Sequence, residues 1–121
     1  MELRSPMSDI RSFDTVRRWF DSAGYGDDPQ EEQERLLGLL AEFSEFTGRS
    51  PDDLVAGCFL RKKATGDKFI SSKARQAMNE SIAEFVAKKG WEGREAVQAG
   101  NLLRGFLIHN GVFIQGGAWR G

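Results

Sequence analysis

The chain has 121 residues and a mass of 13.5 kDa, which at roughly 100 to 200 residues per domain is one compact domain and excludes two. Hydrophobic residues make up 40% and charged residues 29%, with nine Phe and three Trp, a composition that can bury a core and lies far from the disordered range. The net charge of −1 conceals an asymmetry: residues 1–53 carry six Lys/Arg against thirteen Asp/Glu, and residues 54–121 carry eleven against five, balances of −7 and +6.

No apolar run approaches the roughly 18 residues that span a bilayer, and the first eleven residues lack the apolar stretch of a secretory signal. The expectation is a soluble, cytoplasmic chain with no membrane partner. One cysteine, Cys58, excludes an internal disulfide, and one cysteine with one histidine cannot build a structural zinc site. No metal or other cofactor is expected.

Residues 1–11 read as an N-terminal tail. From Ser12 to Ala23, Phe13, Val16, Trp19 and Phe20 recur at helical spacing, and Gly24 follows where a left-handed cap would end the helix. Asp28 is the expected N-cap of a second helix, with Pro29 at the first helical position and Glu31 favourable to the helix dipole. Leu36, Leu37, Leu39, Leu40, Phe43 and Phe46 form its apolar stripe, opposed by Glu34, Glu42 and Glu45, and Gly48 closes it. Ser50-Pro51-Asp52-Asp53 repeats the start signal for a short third helix to about Leu60, with Leu54, Val55, Cys58 and Phe59 inward. Cys58 reads as a small buried hydrophobe, because no adjacent base or cation is visible to activate it.

Arg61 to Ser72 has the composition of an exposed loop, with a Thr65-Gly66-Asp67 turn. A fourth helix then runs from Ser71 or Ser72 to Gly90 and turns Ala74, Ala77, Met78, Ile82, Phe85 and Val86 inward. A fifth, from about Gly93 to Asn110, has Val97, Leu102, Leu103, Phe106 and Leu107 on its apolar side. Gly100 and Gly105 each cost about 1 kcal/mol relative to Ala in a helix interior, which predicts close packing at both. Asn110-Gly111 ends the helix. Pattern leaves the apolar stretch from Val112 undecided, and residues 115–121 read as a tail or the start of a linker. The outcome is an all-α domain over residues 12–114, a compact bundle of four to five helices without convincing strands.

Catalytic material is sparse. His109 has no obvious nucleophile partner, Gly24-Tyr25-Gly26 lacks the setting of a nucleotide fingerprint, and Asp27, Asp28, Glu31 and Glu32 are explained by helix capping without the alternating ligands of a calcium loop. The chain is not expected to be an enzyme. What stands out is Arg61-Lys62-Lys63, then Lys68, Lys73 and Arg75, six cations within fifteen residues opposed by Asp67 alone. Hydroxyls at Thr65, Ser71 and Ser72 add donors suited to phosphate oxygens, and the fourth helix would aim its first amides the same way. Arg94, Gln98, Asn101 and Gly105 form one stripe of the fifth helix, flanked by Arg104 and His109; it is either a groove-reading face or a solvated one.

Three passages carry a family resemblance. Ser12-Phe13-Asp14-Thr15-Val16 opens the first helix; Leu40-Ala41-Glu42-Phe43-Ser44-Glu45-Phe46-Thr47-Gly48-Arg49-Ser50-Pro51-Asp52-Asp53-Leu54 forms a helix, turn and short-helix passage; Asn101-Leu102-Leu103-Arg104-Gly105-Phe106-Leu107-Ile108-His109-Asn110-Gly111-Val112 closes the last helix. Together the segment from Ser12 to Ile114 resembles the core-binding, or SAM-like N-terminal, domain of tyrosine recombinases and phage integrases. The resemblance implies an orthogonal SAM-like helical bundle that clamps double-stranded DNA, with Lys62, Lys63, Lys68, Lys73, Arg75, Arg94 and Arg104 facing the duplex. It implies as partners the DNA, a catalytic recombinase domain and other protomers, in a cytoplasmic, nucleoid-associated setting. The family's covalent tyrosine chemistry resides in a separate domain, and Tyr25 does not stand where that nucleophile would, so no strand cleavage is expected from this chain. The alternative from another class is a small helical protein-interaction domain whose acidic second helix, Glu31 to Glu45, meets a basic partner or a second copy. A small-molecule enzyme would need a convergent acid, base and nucleophile set that the sequence does not display.

Overall fold

A computed structural model describes residues 10–61, 63–66, 68–112 and 114. Five α-helices dominate it: α1 (Asp14–Ala23), α2 (Gln30–Thr47), α3 (Pro51–Ala56), α4 (Ser72–Lys89) and α5 (Gly93–Ile108). Single 3-10 turns, Ile10–Ser12 and Tyr25–Asp27, precede α1 and α2. The fold is all-α in character, with one small addition. Between α3 and α4 the chain forms an antiparallel hairpin of β1 (Phe59–Arg61) and β2 (Lys68–Ile70), pairing Phe59 with Ile70, Leu60 with Phe69 and Arg61 with Lys68.

The hairpin corrects the expected exposed loop and the expected extension of the third helix to Leu60. The helix stops at Ala56, where the Gly57 amide caps onto the Asp53 carbonyl. Strands of three residues are too short for an alternation to register in sequence. What holds them is tertiary: Phe59 and Ile70 pack against the core, and the Ser71 amide donates to the Cys58 carbonyl at 2.8 Å beyond the last pair.

Helix ends follow the glycines. Gly24, Gly48 and Gly90 cap α1, α2 and α4 with φ of 79°, 74° and 80°, the left-handed region open to a residue without Cβ. Ser50 and Ser71 cap α3 and α4 by accepting the Asp53 and Ala74 amides at 3.1 Å. The start of α2 departs from expectation: Pro29, not Asp28, is the flanking residue, and no side chain caps the helix. The Asp28 amide closes the preceding 3-10 turn onto Tyr25, while Gln33 Nε2 reaches back to the Asp28 carbonyl at 2.8 Å.

One core joins all five helices. Trp19 of α1 meets Phe20, Tyr25 and Phe106 edge to face, and Phe85 of α4 meets Phe43 and Trp91 in the same way. Leu36, Leu40, Leu54, Ile82 and Leu103 complete the centre with almost no exposure. Ile10, assigned from sequence to a tail, is 1% exposed and belongs to this core, as do Val112 and Ile114. Val97 was expected inward but is 53% exposed. It stands two residues, about 200° of helical turn, from buried Ala99. Ala77 is likewise exposed. Gly100 is tightly packed, since a Cβ there would lie 3.0 Å from Arg104 Nη1, but Gly105 has nothing within 4 Å of that position, so the packing expected of both holds for one. No helix among the described residues is long and apolar enough to cross a membrane.

Candidate nucleic-acid interface

The hairpin and the start of α4 together carry four of the seven sequence-predicted cations, Lys63, Lys68, Lys73 and Arg75. Lys63 lies exposed in the hairpin turn; Lys68, on β2, holds its ammonium 5.0 Å from the centre of the Phe59 ring. That placement keeps the charge outward while the stem lies along an aromatic face. Lys73 and Arg75 follow in the first turn of α4, Lys73 exposed and Arg75 half-buried, with Arg75 Nη2 3.3 Å from Ser72 Oγ. Among the described residues no carboxylate forms an ion pair with Lys63, Lys68 or Lys73; the pairs present are Arg17 with Asp14, Arg35 with Glu32, and Lys89 with Glu42. Lys62 lies outside the described residues.

Arg49 is a cation the sequence reading did not place here. It sits in the turn between α2 and α3, and its Nη1 lies 3.0 Å from where a Cβ on Gly57 would stand, at the root of the hairpin. Arg75 donates its amide to the Ser71 carbonyl, and the Ser71 amide bonds the Cys58 carbonyl, so both arginines belong to elements that meet where the hairpin leaves the core. A cleft of about 320 Å³ opens there between α2, α3 and α4, lined by Phe46, Arg49, Gly57, Met78, Ser81 and Glu84 among others. Cys58 is fully buried, its Sγ 3.5 Å from the Leu54 carbonyl. Burial raises its thiol pKa despite the two arginines, which suits a structural cysteine and not a nucleophile.

The other two sequence-predicted cations stand apart. Arg94 is exposed in the first turn of α5. Trp91, in the connection before it, packs on Phe85 and under Lys89, so this turn stays at the C-terminal end of α4, the end opposite Lys73. Arg104 is turned inward, with Nε on Asn79 Oδ1 at 2.9 Å and Nη1 on Asn101 Oδ1 at 3.3 Å. Burial lowers its pKa from the ordinary arginine value. It ties α5 to α4 and engages Asn101, one of the polar residues of the α5 stripe.

His109 does have a hydroxyl neighbour, contrary to expectation: its Nδ1 lies 2.7 Å from Ser22 Oγ at the end of α1. Among the described residues no carboxylate hydrogen-bonds the ring to orient it, as a relay would require. No group of three or more His, Cys, Asp or Glu side chains that could hold a metal occurs among the described residues. The acids concentrate elsewhere, at the start of α2, where an Arg35 hydrogen bond lowers the Glu32 pKa.

No protein-family model, curated protein or solved structure matches the chain.

Proposed function

We propose that the chain is a DNA-binding module of the core-binding, SAM-like type found in tyrosine recombinases and phage integrases, gripping duplex DNA through phosphate contacts while a separate catalytic domain exchanges strands. The observation that carries this reading is the run of exposed lysines, Lys63, Lys68 and Lys73, on a hairpin and the helix start behind it, without carboxylate partners among the described residues. Lysines so placed contact phosphates and fix register without reading sequence. Arg49 and Arg75 at the hairpin root extend the cationic surface. Arg94 is a second, separate contact, and Arg104 supports the bundle and keeps α5 in place.

With a net charge of −1, affinity rests on one face and a few phosphates, so binding is weak and strongly salt-dependent. Fluorescence anisotropy of a labelled duplex of about 30 base pairs, at about 50 and 200 mM salt, tests this. Saturable binding that collapses at the higher salt is the expected result; no binding by the folded protein at the lower salt overturns it.

The second reading, a protein-interaction or oligomerisation domain, is favoured by a groove of about 410 Å³ between α2 and α5. Leu39, Trp91 and Leu102 contribute apolar surface to it, and Glu34, Glu42 and Glu95 contribute carboxylates beside Arg35 and Lys89, the latter paired with Glu42. A defined dimer that salt dissociates, without DNA binding, would decide for it.

A further inference from the structure

The hairpin has one covered face and one bare face. Side chains alternate across a strand, so the cross-strand pair Leu60 and Phe69 stands on the face opposite Phe59 and Ile70. Phe59 and Ile70 are packed on the core, whereas Leu60 is 52% and Phe69 40% exposed. The two other exposed large hydrophobics among the described residues, Val97 and Ile108, lie on α5. Leu60 and Phe69 therefore form an exposed apolar rib on the hairpin, with Lys63 in its turn and Lys73 in the helix start that follows, while Lys68, two residues from Ile70 and seated over the Phe59 ring, belongs to the other face.

An apolar pair flanked by a cation in the turn and another at the helix start complements a surface that is anionic outside and apolar within. Duplex DNA has this layout, with phosphates lining a groove and stacked bases at its floor. Resting on the DNA-binding reading above, we propose that Leu60 and Phe69 are a wedge that enters the minor groove, presses on a base step and bends the duplex, while Lys63 and Lys73 hold the flanking phosphates. Leu and Phe serve as such wedges because partial unstacking exposes base surface that they then cover. An anionic bilayer has a similar layering, but binding to it scales with the buried apolar area of a broad amphipathic face, and two side chains on a narrow rib provide little of that.

The test uses the full chain, the L60S/F69S variant and the K63A/K73A variant, on a 30-base-pair duplex carrying a donor and an acceptor dye at its ends, about three helical turns. All four positions are exposed, and thermal melts establish that each variant folds. Wild type is expected to shorten the end-to-end distance on binding. L60S/F69S should bind about tenfold more weakly, with an unchanged salt slope and no shortening. K63A/K73A should show a shallower salt slope and, at saturation, the wild-type shortening. Equal affinity and equal shortening for wild type and L60S/F69S overturn the wedge and leave the DNA-binding reading standing. No duplex binding by wild type overturns both, and binding to phosphatidylserine vesicles in its place, lost in L60S/F69S, assigns the rib to a membrane surface.

Discussion

Asn110 Nδ2 donates to the Thr15 carbonyl at 3.0 Å, across 95 residues of sequence, and so locks the end of α5 onto the start of α1. The same amide reaches the Phe106 carbonyl at 2.9 Å, and its Oδ1 accepts from Arg18 Nη1 at 2.8 Å. Thr15 in turn donates its hydroxyl to Asp52 Oδ1 at 2.6 Å, which carries the network into α3. Three helices that meet through an apolar core are thereby set in one angular arrangement by directional bonds.

Asn110→Ala removes those bonds, cutting the tie between α5 and α1 and leaving the Phe106 carbonyl without the side-chain donor it has there. A loss of about 2 kcal/mol is expected, a fall in Tm of several degrees. Asn110→Asp cannot donate to the two carbonyls and should lose as much or more, although it keeps an acceptor for Arg18. Urea melts of both variants check this; an Asp variant as stable as wild type would show that the carbonyl contacts contribute little.

The fully buried Cys58 thiol should resist alkylation in the folded protein and react freely once urea unfolds it. Its raised pKa also sets a sign for pH dependence. Below the ordinary thiol pKa of about 8.5 both folded and unfolded chains keep the proton. Above it the unfolded chain loses the proton first, so this contribution to stability falls as pH rises through the folded value. Urea midpoints of wild type and Cys58→Ala at pH 7.5 and 9.5 should show the wild-type advantage shrinking at the higher pH.

Each lysine that contacts a phosphate contributes about 0.9 to the slope of log affinity against log salt. K63A/K68A/K73A should therefore lower the slope by about 2 to 3, to the same extent on unrelated duplexes. Arg94→Ala, at the other end of α4, should change it by about one or less. A larger effect from Arg94 than from the three lysines would move the interface away from the hairpin.

Gly48 holds φ at +74°, and its amide bonds back to Ser44 and Glu45. Nothing lies within 4 Å of where its Cβ would be, so Gly48→Ala costs conformational strain alone, about 1 to 2 kcal/mol. A thermal melt unchanged by this substitution would refute that account.

The helices were legible because their signals are local. The caps Ser50 and Ser71 and the stops Gly24, Gly48 and Gly90 each act within a few residues, and the stripes of α2 and α5 repeat long enough to define a face. The hairpin was not, since its strands are three residues long and are stabilised by what Phe59 and Ile70 meet in the core. The site was legible in part for the same reason. Lys63, Lys68, Lys73 and Arg75 are close in sequence and remain together in space. Arg49 joins them only because the α2–α3 turn packs at the hairpin root, and Arg104 is diverted by Asn79, twenty-five residues away; neither contact leaves a pattern in the chain. Ile10 shows the limit from the other side, as a single apolar residue gives no periodicity even when it is fully buried.

The length of α2 has a consequence of its own. Its 18 residues extend about 27 Å, with Asp27, Asp28, Glu31, Glu32 and Glu34 about its first turns and the turn that carries Arg49 at its far end. The acidic cluster at one end of α2 is thereby kept apart from the hairpin lysines beyond the other, so charge is unevenly spread over the molecule although its sum is close to zero. In a non-uniform field such a molecule experiences a torque before it experiences a net pull. Near any polyanion it should rotate cationic end first, and because the Debye length is about 8 Å at physiological salt and about 30 Å at 0.01 M, that alignment should extend over the full span of α2 only in dilute buffer.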